Sequence, residues 1–335
     1  MRKIWTIIAM LAALAGHAQD MHFTQFFATP MFTNPAFTGD FKGTYRFSGV
    51  GRSQWSSISS QPFRTFGGGV DMNAPFNLKP LGVGLHLAQD QAGVSILTRQ
   101  QAHLFLAGHI PFGASKDIIL SLGAQLGFSR QMINNTGVRF DRQYNGSAYD
   151  PNLPSGEQLN DDPIQWLSPA GGAYLQKKYS KRKHFGVGVS LFNLNEPNIS
   201  AFESADANLP RRLNVHGMSS LPFATRWDVM PAFQLMRQGP HSELLVGSSV
   251  RYHLSETPLN KQAILLGVWG RPGDAGNVSL GVEMNSLFVG GSYDVNFSSL
   301  QPASRYRGGW EVTVIYILST VREKVKRVRQ CPDYI

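Results

Sequence analysis

The 335-residue chain is poor in three features, and each absence excludes a class of protein. Beyond residue 18 no stretch approaches the roughly 18 to 20 consecutive apolar residues of a spanning helix, so a helical membrane protein is excluded. Cysteine occurs once, at Cys331, which rules out an intramolecular disulfide. Lys and Arg outnumber Asp and Glu by 31 to 22, yet they form no extended run before residue 321, so a nucleic-acid-binding surface has little to be built from.

What is present begins with an export signal. Arg2 and Lys3 precede an apolar run from Ile4 to Ala15, and Gly16-His17-Ala18 places small residues where signal peptidase reads them. Residues 1–18 are therefore expected to be removed, with the mature chain starting near Gln19.

The rest is dominated by a period-two pattern. From Ile118 to Phe128 the even positions read Ile, Leu, Leu, Ala, Leu, Phe, while Ser121, Gly123, Gln125, Gly127 and Ser129 fill the other face. The contrast recurs at Leu81, Val83, Leu85 and Leu87 against Gly82, Gly84, His86 and Ala88, and again in 243–254 and 278–285. A soluble sandwich and a membrane barrel share this alternation, with the greasy face turned in or out. Glycine favours the barrel: many of the 34 glycines sit inside strands on the non-apolar face, as where a wall curves round a filled lumen.

Turn residues divide 41–321 into fourteen predicted strands, near 43–54, 63–73, 79–90, 97–110, 117–130, 165–178, 184–194, 211–220, 224–237, 242–255, 261–271, 276–286, 288–297 and 309–320. The count is even, as in bacterial single-chain barrels, and puts both chain ends on the periplasmic side. The fold expected is an all-β transmembrane antiparallel barrel. Segments 131–164 and 195–210 are too long for periplasmic turns and read as extracellular loops.

Two segments fall outside the pattern. Residues 19–40 are aromatic and proline-rich, and are expected to tuck into the barrel's mouth or lumen or to pack on a partner. Residues 322–335 carry Arg322, Lys324, Lys326, Arg327 and Arg329, a basic tail that is either solvated or docked on a periplasmic protein or anionic headgroups. Cys331 within it is either an inconsequential surface thiol or a contact to a partner.

Parity assigns Arg46, Arg52, Asp71, Glu243, Arg251, Glu283 and Glu311 to the inward face, with mixed sign. Such charges pair across a packed interior, and together with the N-terminal segment they are expected to obstruct the lumen, making the barrel an anchor. His86, His103 and His109 share the inward parity of neighbouring strands and could share a metal or a proton. No nucleophile elbow, carboxylate pair or Cys/His cluster accompanies them, so the expectation is a hydrogen-bonded lumen with no catalysis and no cofactor.

The stretch from Phe23 to Gly39, containing Gln25, Phe26, Asn34, Pro35 and Ala36, resembles the opening of the PorP/SprF family of type IX secretion membrane proteins. It is followed by Arg52-Ser53-Gln54-Trp55, and further matches are Phe140-Asp141, Tyr293-Asp294-Val295-Asn296 with Ser298-Ser299-Leu300, and Cys331-Pro332. The resemblance implies an outer-membrane barrel of a Gram-negative bacterium that works with periplasmic secretion and gliding proteins, including a peptidoglycan-associated component. It also implies assistance to a secreted adhesin through that cargo's C-terminal domain. A solute porin or hydrophobic-substrate channel shares the signal and the alternation and stays open as the alternative.

Overall fold

A computed structural model describes residues 21–319 except 22, 57–60, 76–77, 93–96, 134–140, 155–161, 201–206, 258–259 and 299–300. The expected signal peptide and basic tail, Cys331 included, lie outside the described residues.

Fourteen antiparallel strands close into a barrel in which every strand pairs with its chain neighbours and the first pairs with the last. They are β1 (Tyr45–Gln54), β2 (Phe63–Asn73), β3 (Leu81–Ala92), β4 (Leu97–Phe112), β5 (Ile118–Ile133), β6 (Ile164–Lys178) and β7 (His184–Phe192). The second half comprises β8 (Arg212–Ala224), β9 (Trp227–Gln238), β10 (His241–Glu256), β11 (Lys261–Arg271), β12 (Ala275–Met284), β13 (Leu287–Asn296) and β14 (Arg307–Leu318). Each predicted strand is found. One boundary differs materially: β8 runs on to Ala224, four residues past its expected end, because Pro222 does not break it. The proline lies beside the shift of register with β9, the kind of irregularity at which a strand tolerates proline.

The alternation is oriented as a membrane requires. Leu85, Leu104 and Leu126 lie side by side on β3, β4 and β5, and are 41%, 60% and 52% exposed, while Ser121 and Ser129 on the opposite face of β5 are fully buried. A soluble sandwich would reverse those values. With a lipid solvent the outward leucines are covered, and every strand has a hydrogen-bonded neighbour on both edges, so the sheet leaves no open edge to lipid. Aromatic side chains mark both edges of the apolar band: Phe66, Phe128, Tyr293 and Trp310 toward one end, Phe47, Phe112, Phe185, Phe223 and Tyr316 toward the other.

Connections are unequal at the two ends. The end holding 134–163 and 193–211 has the long ones, whereas β8–β9 and β12–β13 are joined at the opposite end by the two-residue turns 225–226 and 285–286. By the rule that periplasmic turns are short, the long connections face the exterior, and the start of β1 and the end of β14 face the periplasm. Within 134–163 the described part forms a 3-10 turn at Asp141–Gln143 and a bridge between Tyr144 and Tyr149.

Leu104→Arg, at mid-strand on the lipid face, is expected to destabilise the folded barrel by about 2–4 kcal/mol. Urea unfolding in lipid vesicles reads this, with Leu104→Val as the near-neutral control.

Candidate functional site: the lumenal segment and its seat

Residues 23–40 occupy the lumen. They form a 3-10 turn at Phe26–Ala28, one helical turn at Pro30–Thr33 and a second 3-10 turn at Pro35–Phe37. Prolines open the second and third turns, where a missing N–H is harmless. The segment is as buried as a protein core: Asn34, Ala36 and Thr38 are fully inaccessible and Phe26 is 1% exposed. Such short turns leave many backbone groups unpaired, and a buried unpaired group costs roughly 1–3 kcal/mol. Inward side chains of the wall meet that demand at three levels.

At the periplasmic end Asp71 is the hub. Its carboxylate accepts from the Gly39 N–H at 2.7 Å and from Arg46 Nε and Nη2 at 2.9 and 2.7 Å, and Arg46 Nη2 also donates to the Phe37 carbonyl at 2.9 Å. Gly39 has φ +78° and passes so close to Gly82 that a Cβ on it would lie 2.6 Å from the Gly82 Cα, so glycine is required there twice over. His109 joins this level, with Nε2 2.9 Å from the Thr38 carbonyl and Nδ1 2.8 Å from Ser121 Oγ. A carbonyl only accepts, so Nε2 donates in the contact with Thr38.

At mid-height Asn34 binds both sides of its own turn. Its amide donates to the Ala173 and Val189 carbonyls at 3.0 and 3.2 Å, and its Oδ1 accepts from the Ala36 N–H at 2.9 Å. The Thr33 carbonyl receives Ser190 Oγ at 2.8 Å and Asn214 Nδ2 at 2.7 Å. Gly123 makes room: a Cβ there would sit 2.3 Å from the backbone of Pro35 and Ala36.

Nearest the exterior, the Glu311 carboxylate accepts two consecutive backbone N–H groups, from Thr24 at 3.0 Å and Gln25 at 2.8 Å. Gln25 Oε1 accepts from Thr313 Oγ1 at 3.0 Å. Beside it Asp294 takes Arg271 at 2.6 Å, Asn277 at 2.6 Å, Arg52 at 3.4 Å and the Thr24 hydroxyl at 3.3 Å. Buried charges survive only with such complete partnering. Phe26 fills the space between Leu245 and Trp269, and Phe27 stacks on Trp269 with centroids 5.5 Å apart. Arg212, at the outer end of β8, donates to the Met21 carbonyl at 2.9 Å, so the described chain crosses the barrel from one mouth to the other. Its N-terminal end stands at the outer mouth and not on the periplasmic side as expected, because the lumenal segment precedes β1 and runs the height of the lumen.

The seven inward charges fall into separate groups. Arg46 pairs with Asp71, Arg52 lies between Glu311 and Asp294, and Arg251 pairs with Glu283 at 2.9 Å near the periplasmic mouth. Glu243 instead lines a cavity of about 300 Å³ at the outer mouth with Arg271, Asp274 and Asp294. The three histidines do not converge. His86 and His103 stack at 6.3 Å, Phe32 meets the His86 ring at 4.2 Å, and His109 is tied to Thr38. Phe23, Gln25, Phe26, Asn34, Pro35, Ala36 and Gly39 all belong to the lumenal segment, whereas Arg322, Lys324, Lys326, Arg327, Arg329 and Cys331 lie outside the described residues.

Sequence parity missed two sets of residues. Asp228 is fully buried and accepts from Arg182 at 2.6 Å and His253 Nε2 at 2.7 Å, a cluster hidden because Arg182 belongs to a turn. Inward apolar residues such as Leu245, Leu265 and Ile315 were also missed. Their signal is the interruption of alternation by consecutive apolar residues, as in Leu244-Leu245 and Val314-Ile315-Tyr316-Ile317.

In sequence, the family described as type IX secretion system membrane protein PorP/SprF matches residues 15–316. No protein of curated function matches the chain. Among solved structures, the Ralstonia pickettii toluene transporter TbuX aligns with TM-score 0.49 and 10% identity over 90% of this chain and 95% of its own. The P. putida toluene transporter TodX gives 0.47 and 9% over 87% and 93%, and a Pseudomonas aeruginosa FadL homologue gives 0.43 and 10% over 86% and 94%.

Glu311→Ala removes the acceptor for two buried N–H groups and one partner of Arg52. The barrel is expected to stay folded while residues 23–28 exchange backbone hydrogens for deuterium far faster; unchanged protection would remove Glu311 from the seat.

Proposed function

The chain belongs to the PorP/SprF family of type IX secretion system membrane proteins, and from that premise we propose that it is a non-enzymatic anchor which couples the outer membrane to periplasmic secretion components and to a secreted cargo. Its residence in the outer membrane of a Gram-negative bacterium follows from the family and the barrel. The observation that carries the anchor reading is the lumenal segment. The Phe23–Gly39 stretch, which carries most of the family resemblance, is spent on filling and bonding the lumen, which suits a scaffold and opposes a wide solute pore. His86 and His109 are engaged in the same packing, His86 against Phe32 and His109 on the Thr38 carbonyl.

In this reading three surfaces meet partners. The basic tail of Arg322, Lys324, Lys326, Arg327 and Arg329, with Cys331, faces periplasmic proteins, among them a peptidoglycan-associated component, and the anionic headgroups of the membrane. The connections within 131–164 and 195–210 face the exterior, where the C-terminal domain of an adhesin docks. The third surface is the N-terminal segment, where its Phe37–Asp40 end reaches the periplasmic mouth.

Replacing Arg322, Lys324, Arg327 and Lys326 by alanine is expected to leave the barrel folded and to weaken association with periplasmic partners. Because exposed charges are screened within about 8 Å at physiological ionic strength, the loss is largest at low salt. Mass spectrometry of proteins retained with the tagged chain after gentle detergent extraction of native outer membranes reads this directly. Recovery of a peptidoglycan-associated protein or a large adhesin with the unmodified chain supports the anchor. Unchanged recovery with the variant at low salt removes the tail from the account, and recovery of the barrel alone transfers the reading to a solute channel.

A further inference from the structure

The lumen is not filled along its whole height. Beneath the lumenal segment a chamber of about 440 Å³ opens at the periplasmic mouth, within the range of small-molecule sites. Its floor is apolar and comes from several elements: Phe27 of the lumenal segment, Met230 of β9, Leu265 of β11, Phe288 of β13, and Ile315 and Ile317 of β14. On β14 the inward face changes character at this level, from Glu311 and Thr313, which bond the segment, to Ile315 and Ile317, which are left half-buried.

Around Phe26 the inward apolar side chains are covered. Leu245 and Trp269 are 1% and 3% exposed beneath Phe26. In the chamber Met230, Phe288, Ile315 and Ile317 have no such cover, and apolar surface left in water costs about 25 cal/mol per Å². Methionine and phenylalanine walls adapt readily to a flexible chain. Charged groups also line the chamber, with Arg46, Arg251 and Lys261 against Asp40 and Glu283, a surplus of one positive charge.

We propose that this chamber is a binding site for a single-chain amphiphile with an anionic head. The acyl chain lies on the floor formed by Leu265, Phe288 and Ile317, and the head meets Lys261. The lumenal segment walls the inner end, so the ligand enters and leaves from the periplasm. The site does not depend on the secretion role and stands or falls separately from it.

Isothermal titration of the full chain in peptidiscs with dodecanoate, below its micelle concentration, tests the site. Saturable binding of one molecule per barrel is expected. Leu265→Glu and Ile317→Glu each weaken it at least about tenfold by setting a charge against the alkyl chain. Lys261→Glu weakens it and Lys261→Arg restores it, whereas the lipid-facing Leu266→Gln changes nothing. Heat-dependent gel migration checks that each variant remains a barrel. Non-saturable uptake equal in all variants means partition into lipid only and overturns the site, and tighter binding by Lys261→Glu overturns the anionic head.

Discussion

A chain threaded through a barrel has no neighbouring strand, so its backbone must be satisfied by side chains that reach in from the wall. The rest of the structure depends on this constraint. Glu311 takes two N–H groups, Asp71 a third, and Arg46, His109, Ser190, Asn214 and Arg212 serve carbonyls. These groups are polar because their task is to replace a β-ladder. The wall therefore needs an inward face rich in carboxylate, guanidinium, amide and hydroxyl, with glycines such as Gly123 where backbone passes backbone.

Lipid outside and a packed polar segment inside divide the forces cleanly. The outward leucines are covered by the bilayer and add little to the segment's position. The inward ion pairs would be expensive in isolation, and they are tolerable because each charge is multiply bonded, as Asp294 is by Arg52, Arg271, Asn277 and Thr24. Removal of one member exposes its partners to an uncompensated burial, so stability and placement of the segment are coupled.

The strands were legible in the sequence because a period of two survives any tertiary context, and fourteen of them follow from turn chemistry alone. The eighth strand runs four residues beyond its expected end, through Pro222 and a shift of register with β9. Parity gives the face of a residue and not its height. It therefore assigned Arg46, Asp71, Glu283 and Glu311 to one interior without revealing that Glu311 stands at the opposite end of the lumen from the other three. Asp294, Asn277 and Arg182 were invisible as partners because their contacts join residues far apart in sequence or lie in a turn. The apolar chamber floor was hidden for a related reason: Ile315 and Ile317 merge with outward Val314 and Tyr316 into one greasy run, which alternation counting cannot divide.

An anchor and a solute channel differ in whether the lumenal segment stays seated. Single-channel recording of the purified full-length protein in planar bilayers measures that directly. The seated segment predicts no steady, large conductance from the intact chain, with a channel appearing once residues 23–39 are deleted. Steady, large conductance from the intact chain would contradict the account.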